Sequence, residues 1–202
     1  MKRVDFSINT IDFQKRELRK HLKEKAVNLS TSYRCGADRA ICQGVTLLGG
    51  YQDAKCVFCY VSRNDEIDTF PILEDILKRE IRLVVPKCIS KGIMIACEIQ
   101  DLNQLQKGKF GIYEPIAQNE IFPGSIEVAI VPCLSASKDG RRLGYGGGYY
   151  DRYLAGSSFL KIVLCYEKMI SEKIPTNIHD CKMDMLITER EVLDFTNANK
   201  LE

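Results

Sequence analysis

A chain of 202 residues, 45% apolar and 28% charged, is long enough for one sizeable domain and too rich in apolar residues to stay disordered. Its net charge of +2 excludes a global field that would hold it on nucleic acid or on an anionic membrane, so any anion binding must come from a local cluster. No apolar run approaches the roughly 20 residues of a membrane span, residues 1–20 lack the apolar centre of a secretory signal, and nine cysteines without a regular framework read as free thiols, so the expectation is a cytoplasmic monomer.

From Asp12 to about Asn28, Leu18, Leu22, Ala26 and Leu29 recur at steps of four and three, which predicts an amphipathic helix. Its other side carries Lys15, Arg16, Arg19, Lys20 and Lys23. Hydroxyls at Ser30 to Ser32 can cap a second helix through Ala37, Ile41, Val45 and Leu48, with Gly49-Gly50 as its stop. The continuous apolar run Cys56 to Val61 then predicts a buried strand. Phe70 to Arg82 reads as a helix with Pro71 in its first turn. Ile81 to Val85 reads as a strand closed by Pro86, and Ile93 to Ile99 as another. Val128 to Val131 is a buried strand ended by Pro132, Tyr149 to Leu154 starts a helix, and Leu160 to Tyr166 is a further strand. This alternation predicts a single domain over residues 1–202. The class is α/β, a three-layer αβα architecture with a mostly parallel, Rossmann-like sheet and helices on both faces. Ligands in such sheets lie beyond the carboxyl ends of strands, which singles out the loop after Val131.

That loop leads into Arg141-Arg142-Leu-Gly-Tyr-Gly-Gly-Gly-Tyr-Tyr-Asp-Arg152. Four glycines within five positions (Gly144, Gly146, Gly147, Gly148) contribute nothing to a core and cost backbone entropy on folding. What they supply is positive φ and close approach of backbone amides to a ligand. With arginines before them, a helix start behind and Asp151 at the rim, they form a phosphate cradle beside a carboxylate suited to Mg²⁺. The segment is not a Walker A loop, because no Lys-Ser or Lys-Thr follows. Nor is it a dinucleotide fingerprint, because Tyr149 stands where glycine is needed.

The segment Arg142 to Arg152, after a Val-Pro strand end, resembles the signature of the 5-formyltetrahydrofolate cyclo-ligase family, whose members are also called methenyltetrahydrofolate synthetases. Lys15-Arg-Glu-Leu-Arg19 resembles the family's basic N-terminal helix, Asn64-Asp-Glu-Ile-Asp-Thr69 its folate-binding stretch, Phe110-Gly-Ile-Tyr-Glu-Pro115 its aromatic-x-Ile-x-x-Pro stretch, and Met183-Asp-Met-Leu186 a late metal-binding segment. The resemblance implies an enzyme that uses ATP and Mg²⁺ to convert 5-formyltetrahydrofolate to 5,10-methenyltetrahydrofolate through a phosphorylated formyl group. It implies ATP contacts at Lys15, Arg16, Glu17, Leu18 and Arg19, and again from Arg142, Leu143, Gly144, Tyr145, Gly146, Gly147, Gly148, Tyr149 and Tyr150. Folate contacts are implied at Val61, Glu66, Phe110 and Tyr149, metal ligands at Asp151 and Asp184, and catalytic roles for Arg142 and Lys15. The chain departs from the family pattern at Cys133-Leu-Ser-Ala-Ser137, where Gly-Leu-Ala-Phe-Asp is usual. It also lacks the basic residues that some relatives carry at the positions of Tyr145 and Gly147.

Simpler readings stand beside these. A basic stripe such as Lys15 to Lys23 is commonly a solvated helix face, and Asn64 to Asp68 alone is an acidic capping turn. Cys56 and Cys59 have Cys-x-x-Cys spacing, but three apart in a strand they point to opposite faces and cannot share a metal. His21 and His179 have no partner for catalysis. Two other functions remain open: a folate- or nucleotide-binding protein without turnover, and a sugar-phosphate isomerase or CoA-transferase-like enzyme on a similar scaffold.

Overall fold

The computed structural model describes residues 6–108 and 111–197. Its centre is a seven-stranded sheet built from the short apolar runs that the sequence marks out. β1 (Cys56–Cys59), β2 (Arg82–Ser90) and β3 (Ile93–Ile99) form one half, and β6 (Val128–Val131), β9 (Leu160–Leu164), β10 (Met185–Ile187) and β11 (Val192–Asp194) the other; β4 (Leu105–Lys107) pairs with β5 (Tyr113–Pro115), and β7 (Ser135–Ala136) with β8 (Arg142–Leu143), as separate ribbons. The strand order is β11-β10-β9-β6-β1-β2-β3. The five inner strands are parallel, and the two edge strands β3 and β11 run antiparallel to their neighbours. β1, β6 and the inner part of β9 are fully buried, which is why they read as uninterrupted apolar runs rather than alternating ones.

The first helix, α1 (Phe6–Val27), begins six residues before the predicted Asp12. It buries Leu22 and packs Leu18 and Ala26 against the core. In α2 (Thr31–Thr46) the Ser30 hydroxyl accepts from Tyr33 N, and Ala37, Ile41 and Val45 face inward as the periodicity predicts. Gly49-Gly50 does not stop this helix. It ends at Thr46, and the two glycines open a short helix, α3 (Gly49–Asp53), that buries Tyr51. α4 (Phe70–Lys78) ends before the predicted Arg82. Glu80 adopts the left-handed conformation at φ 56°, and Ile81 N reaches back to Ile76 O, a Schellman-type stop made without glycine. α5 (Tyr149–Leu154) lies where it was predicted.

Pro86 does not close β2. The strand pairs with β1 only from Arg82 to Val84; beyond that it faces β3 alone, so the missing proline N–H removes no bond from a central ladder. The order of the strands has a consequence for binding. The chain leaves β1 through α4 to β2 on one side and later returns to β6 on the other. The gap between the carboxyl ends of β1 and β6 is therefore the topological switch point, where an open α/β sheet offers a crevice. Among the described residues, no helix is long and apolar enough to cross a membrane.

Candidate functional site

A cleft of about 1220 Å³ opens at that switch point. Tyr60, Val61, Arg63 and Glu66 enter it from the loop after β1, and Pro132 from the end of β6. Arg142 through Arg152 supply one wall, Lys15 and Arg19 of α1 another, and Asn177 to Cys181 a third. The glycine arch is thus brought to the place where the sheet topology alone would put a ligand.

The arch is held by its neighbours rather than by itself. Arg19 Nε donates to Gly144 O at 2.8 Å, and Arg152 Nη2 donates to Gly147 O at 2.6 Å. Gly146 (φ 103°) and Gly148 (φ 65°) take backbone conformations that a side chain rarely adopts, and Gly148 is the N-cap of α5. The backbone N–H groups from Tyr145 to Gly148 meet no acceptor among the described residues. A row of unspent amides at a helix start is a site for anionic oxygens.

Arg142 is fixed by the β7–β8 ribbon, so the departing segment Cys133 to Ser137 is the strand that holds it. Ser135 and Ser137 are fully buried there, and Ser135 Oγ bonds Met169 O at 2.6 Å. The Arg142 side chain is only 2% exposed; its Nη2 donates to Asp151 Oδ1 at 2.5 Å, and its Nε is buried without a partner among the described residues. Lys15 is almost as buried and pairs with Asp180 at 2.5 and 2.6 Å. Each of these cations is neutralised by a carboxylate. Five basic side chains of the cleft (Lys15, Arg19, Arg63, Arg142, Arg152) face five acidic ones (Asp12, Glu66, Glu114, Asp151, Asp180). A polyanion entering it exchanges protein partners for its own oxygens.

Glu66 closes the other end. Its carboxylate is 8% exposed, accepts from Arg63 N at 2.9 Å and lies 3.5 Å from the Arg63 guanidinium; burial pushes its pKa up despite these contacts. A raised carboxylate binds protons more tightly folded than unfolded. The folded state therefore loses stability as pH rises from the usual carboxylate range through the raised value. Glu66→Gln is accordingly expected to melt at pH 7 no lower than the parent protein, which calorimetry checks.

Several expected residues stand elsewhere. Arg16 and Glu17 are exposed and pair with each other at 3.6 Å, while Leu18 packs on the core; none of the three lines the cleft. Asp184 precedes β10 at the amino-terminal end of that strand, opposite to the cleft, and its carboxylate is taken by Lys161 N at 2.8 Å and Lys161 Nζ at 3.0 Å. It is not brought to Asp151. Phe110 lies outside the described residues, although Ile112 and Glu114 of the same stretch line the cleft. Val61, Tyr149 and Tyr150 line it, and the Arg142 guanidinium sits 5.7 Å over the Tyr150 ring. Asp180, His179, Arg63 and Arg152 are cleft residues that the sequence reading did not assign.

The remaining chemistry is soon limited. Burial and Glu114 push the Cys88 thiol up to about 11, and burial raises Cys181 as well, so neither of these cleft cysteines is an activated nucleophile. Among the described residues, no three His, Cys, Asp or Glu side chains are grouped to hold a metal. Mg²⁺ needs less, since one or two carboxylates with phosphate and water oxygens suffice. Asp151, at the rim and 27% exposed, is placed to be such a carboxylate.

The chain has relatives among known proteins. The profile of the 5-formyltetrahydrofolate cyclo-ligase family matches residues 12–189. The 5-formyltetrahydrofolate cyclo-ligase of Mus musculus is 27% identical over 194 residues, covering 89% of this chain and 96% of the mouse protein. The NMR structure of the Aquifex aeolicus 5,10-methenyltetrahydrofolate synthetase superposes with a TM-score of 0.79 at 30% identity, over 89% of this chain and 92% of that one. The 5,10-methenyltetrahydrofolate synthetase of Mycoplasma pneumoniae does so with a TM-score of 0.71 at 27% identity, over 87% and 98%.

Proposed function

Since this chain belongs to the 5-formyltetrahydrofolate cyclo-ligase family, we propose that it converts 5-formyltetrahydrofolate to 5,10-methenyltetrahydrofolate at the switch-point cleft, with ATP and Mg²⁺. The observation that carries the nucleotide assignment is the arch of unpartnered amides from Tyr145 to Gly148, flanked by buried Arg142 and Lys15.

In the proposed reaction the N5-formyl oxygen attacks the γ-phosphorus of ATP and ADP leaves. N10 then attacks the activated carbon and gives up its proton to solvent, and phosphate departs with the former formyl oxygen. Such a transfer asks the protein for positioning and charge neutralisation more than for acid–base work. The amides and Arg142 hold the triphosphate, and Lys15 and Arg19 close over it from one face of α1. Arg142, freed from Asp151 by the incoming charge, neutralises the transferring group in a site shielded from water. Asp151 would hold Mg²⁺ against the phosphates, where the ion offsets their charge. Glu66 accepts the ring N–H and amino donors of the pterin, with Val61 and Tyr149 as its apolar walls. All these groups come from one chain, and the nine free thiols suit a reducing compartment; we take the enzyme to be a cytoplasmic monomer acting on small molecules.

Incubation with 5-formyltetrahydrofolate should give a near-ultraviolet chromophore only when ATP and Mg²⁺ are both present, and excess EDTA should abolish it. Folate binding without product would favour the non-catalytic reading, and product without ATP would remove this one.

A further inference from the structure

We propose that Arg152 is a positioning residue that sets the orientation of the phosphate-binding amides, and that Gly92 is its required seat. This rests on the reading of the arch as the nucleotide site. Four consecutive peptides rich in glycine have no rigidity of their own. Their shape must be imposed from outside, and the contacts that impose it are few. At the front, Arg19 takes the Gly144 carbonyl. At the back, a single guanidinium bridges two elements: Arg152 Nη2 donates to Gly147 O at 2.6 Å, while its Nε donates to Gly92 O at 2.6 Å in the turn between β2 and β3.

The consequence follows from peptide planarity. Gly147 C=O and Gly148 N–H belong to one trans peptide unit, so fixing the carbonyl toward Arg152 turns the Gly148 N–H the opposite way. Arg19 does the same for the Tyr145 N–H through Gly144 O. Two arginines outside the arch thus hold its carbonyls back and leave its amides for the ligand.

Gly92 fits this role closely. Its φ is 78°, and a Cβ there would lie 2.0 Å from Arg152 Nη2 and 2.6 Å from Cζ. A side chain there would push the guanidinium off both carbonyls, although Gly92 itself does not line the cleft. The β2–β3 turn is therefore more than an edge of the sheet: it anchors the nucleotide loop, and Arg152 is the strut between them.

Steady-state kinetics on purified Arg152→Ala, Arg152→Lys and Gly92→Ala proteins tests this. Arg152 is largely exposed, so its removal does not threaten the core. We expect Arg152→Ala to raise KM for ATP about tenfold or more, with KM for 5-formyltetrahydrofolate within twofold of the parent value, as a sub-ångström loss of aim predicts. Gly92→Ala should reproduce that selective shift, Arg152→Lys should recover part of it, and the double variant should be no worse than Arg152→Ala alone. Unchanged KM for ATP in Arg152→Ala, or an equal rise in both KM values, overturns the proposal. So does additivity in the double variant. If instead the parent protein shows no ATP-dependent product, it is the nucleotide reading of the cleft that fails.

Discussion

Replacing Arg142 by methionine is expected to lower kcat by about 10³ or more while leaving the protein folded. One arginine on the transferring phosphoryl group is worth that much where water is excluded. The Arg142 side chain is 2% exposed, and its Nε has no partner among the described residues, so part of its donor capacity is unused. Methionine preserves the aliphatic volume between Pro132 and the Tyr150 ring. The carboxylate left behind, Asp151, is 27% exposed and can be hydrated, so the loss in stability stays small compared with the loss in rate. Arg142→Lys keeps a charge without the planar fork and should recover only a fraction of the activity. Single-turnover measurements with saturating ATP check this. A kcat within tenfold of the parent value would remove Arg142 from the chemistry.

The second large effect is expected at Lys15, where structure and chemistry can be separated. Lys15→Met should lower kcat/KM about 10²-fold if the proposed site is right, because the cleft then loses a buried ammonium. It should also lower Tm on the order of 5 °C, because Asp180, 14% exposed, is left charged with its partner gone. Asp180→Asn added to Lys15→Met removes that stranded charge. The double variant should therefore regain most of the Tm and none of the activity. Recovery of activity along with Tm would mean that Lys15 acts by stability alone. The pair also shows how the cleft balances its charges: Asp180 holds the Lys15 ammonium in place by an ion pair at 2.5 Å.

The central sheet was legible because β1, β6 and the inner part of β9 are buried on both faces and carry short apolar runs. The ribbons β4–β5 and β7–β8 and the strands β10 and β11 were not, since two or three residues cannot display a period. Pro86 reads as a stop only if the strand is assumed to have neighbours on both sides along its whole length, and β2 does not. The arch announced itself through glycines that no core could use. Asp180 did not, because it sits in an irregular stretch, Asn177-Ile-His-Asp-Cys181, whose side chains reach the cleft only through the fold. Asp184 was assigned by resemblance of its segment, but strand direction decides its place. It precedes β10, whereas the cleft lies at the other end of the parallel strands. The exposed pair Arg16 and Glu17 shows the same limit, since a motif on a helix presents only every third or fourth residue to one side.

The arch as the seat of the triphosphate is tested most directly by amide chemical shifts. Titration of ¹⁵N-labelled protein with Mg²⁺ and a non-hydrolysable ATP analogue should move the resonances of Tyr145, Gly146, Gly147 and Gly148 together, saturating with a single affinity. Resonances in that segment that stay still while others shift at a separate surface would show that the nucleotide binds elsewhere.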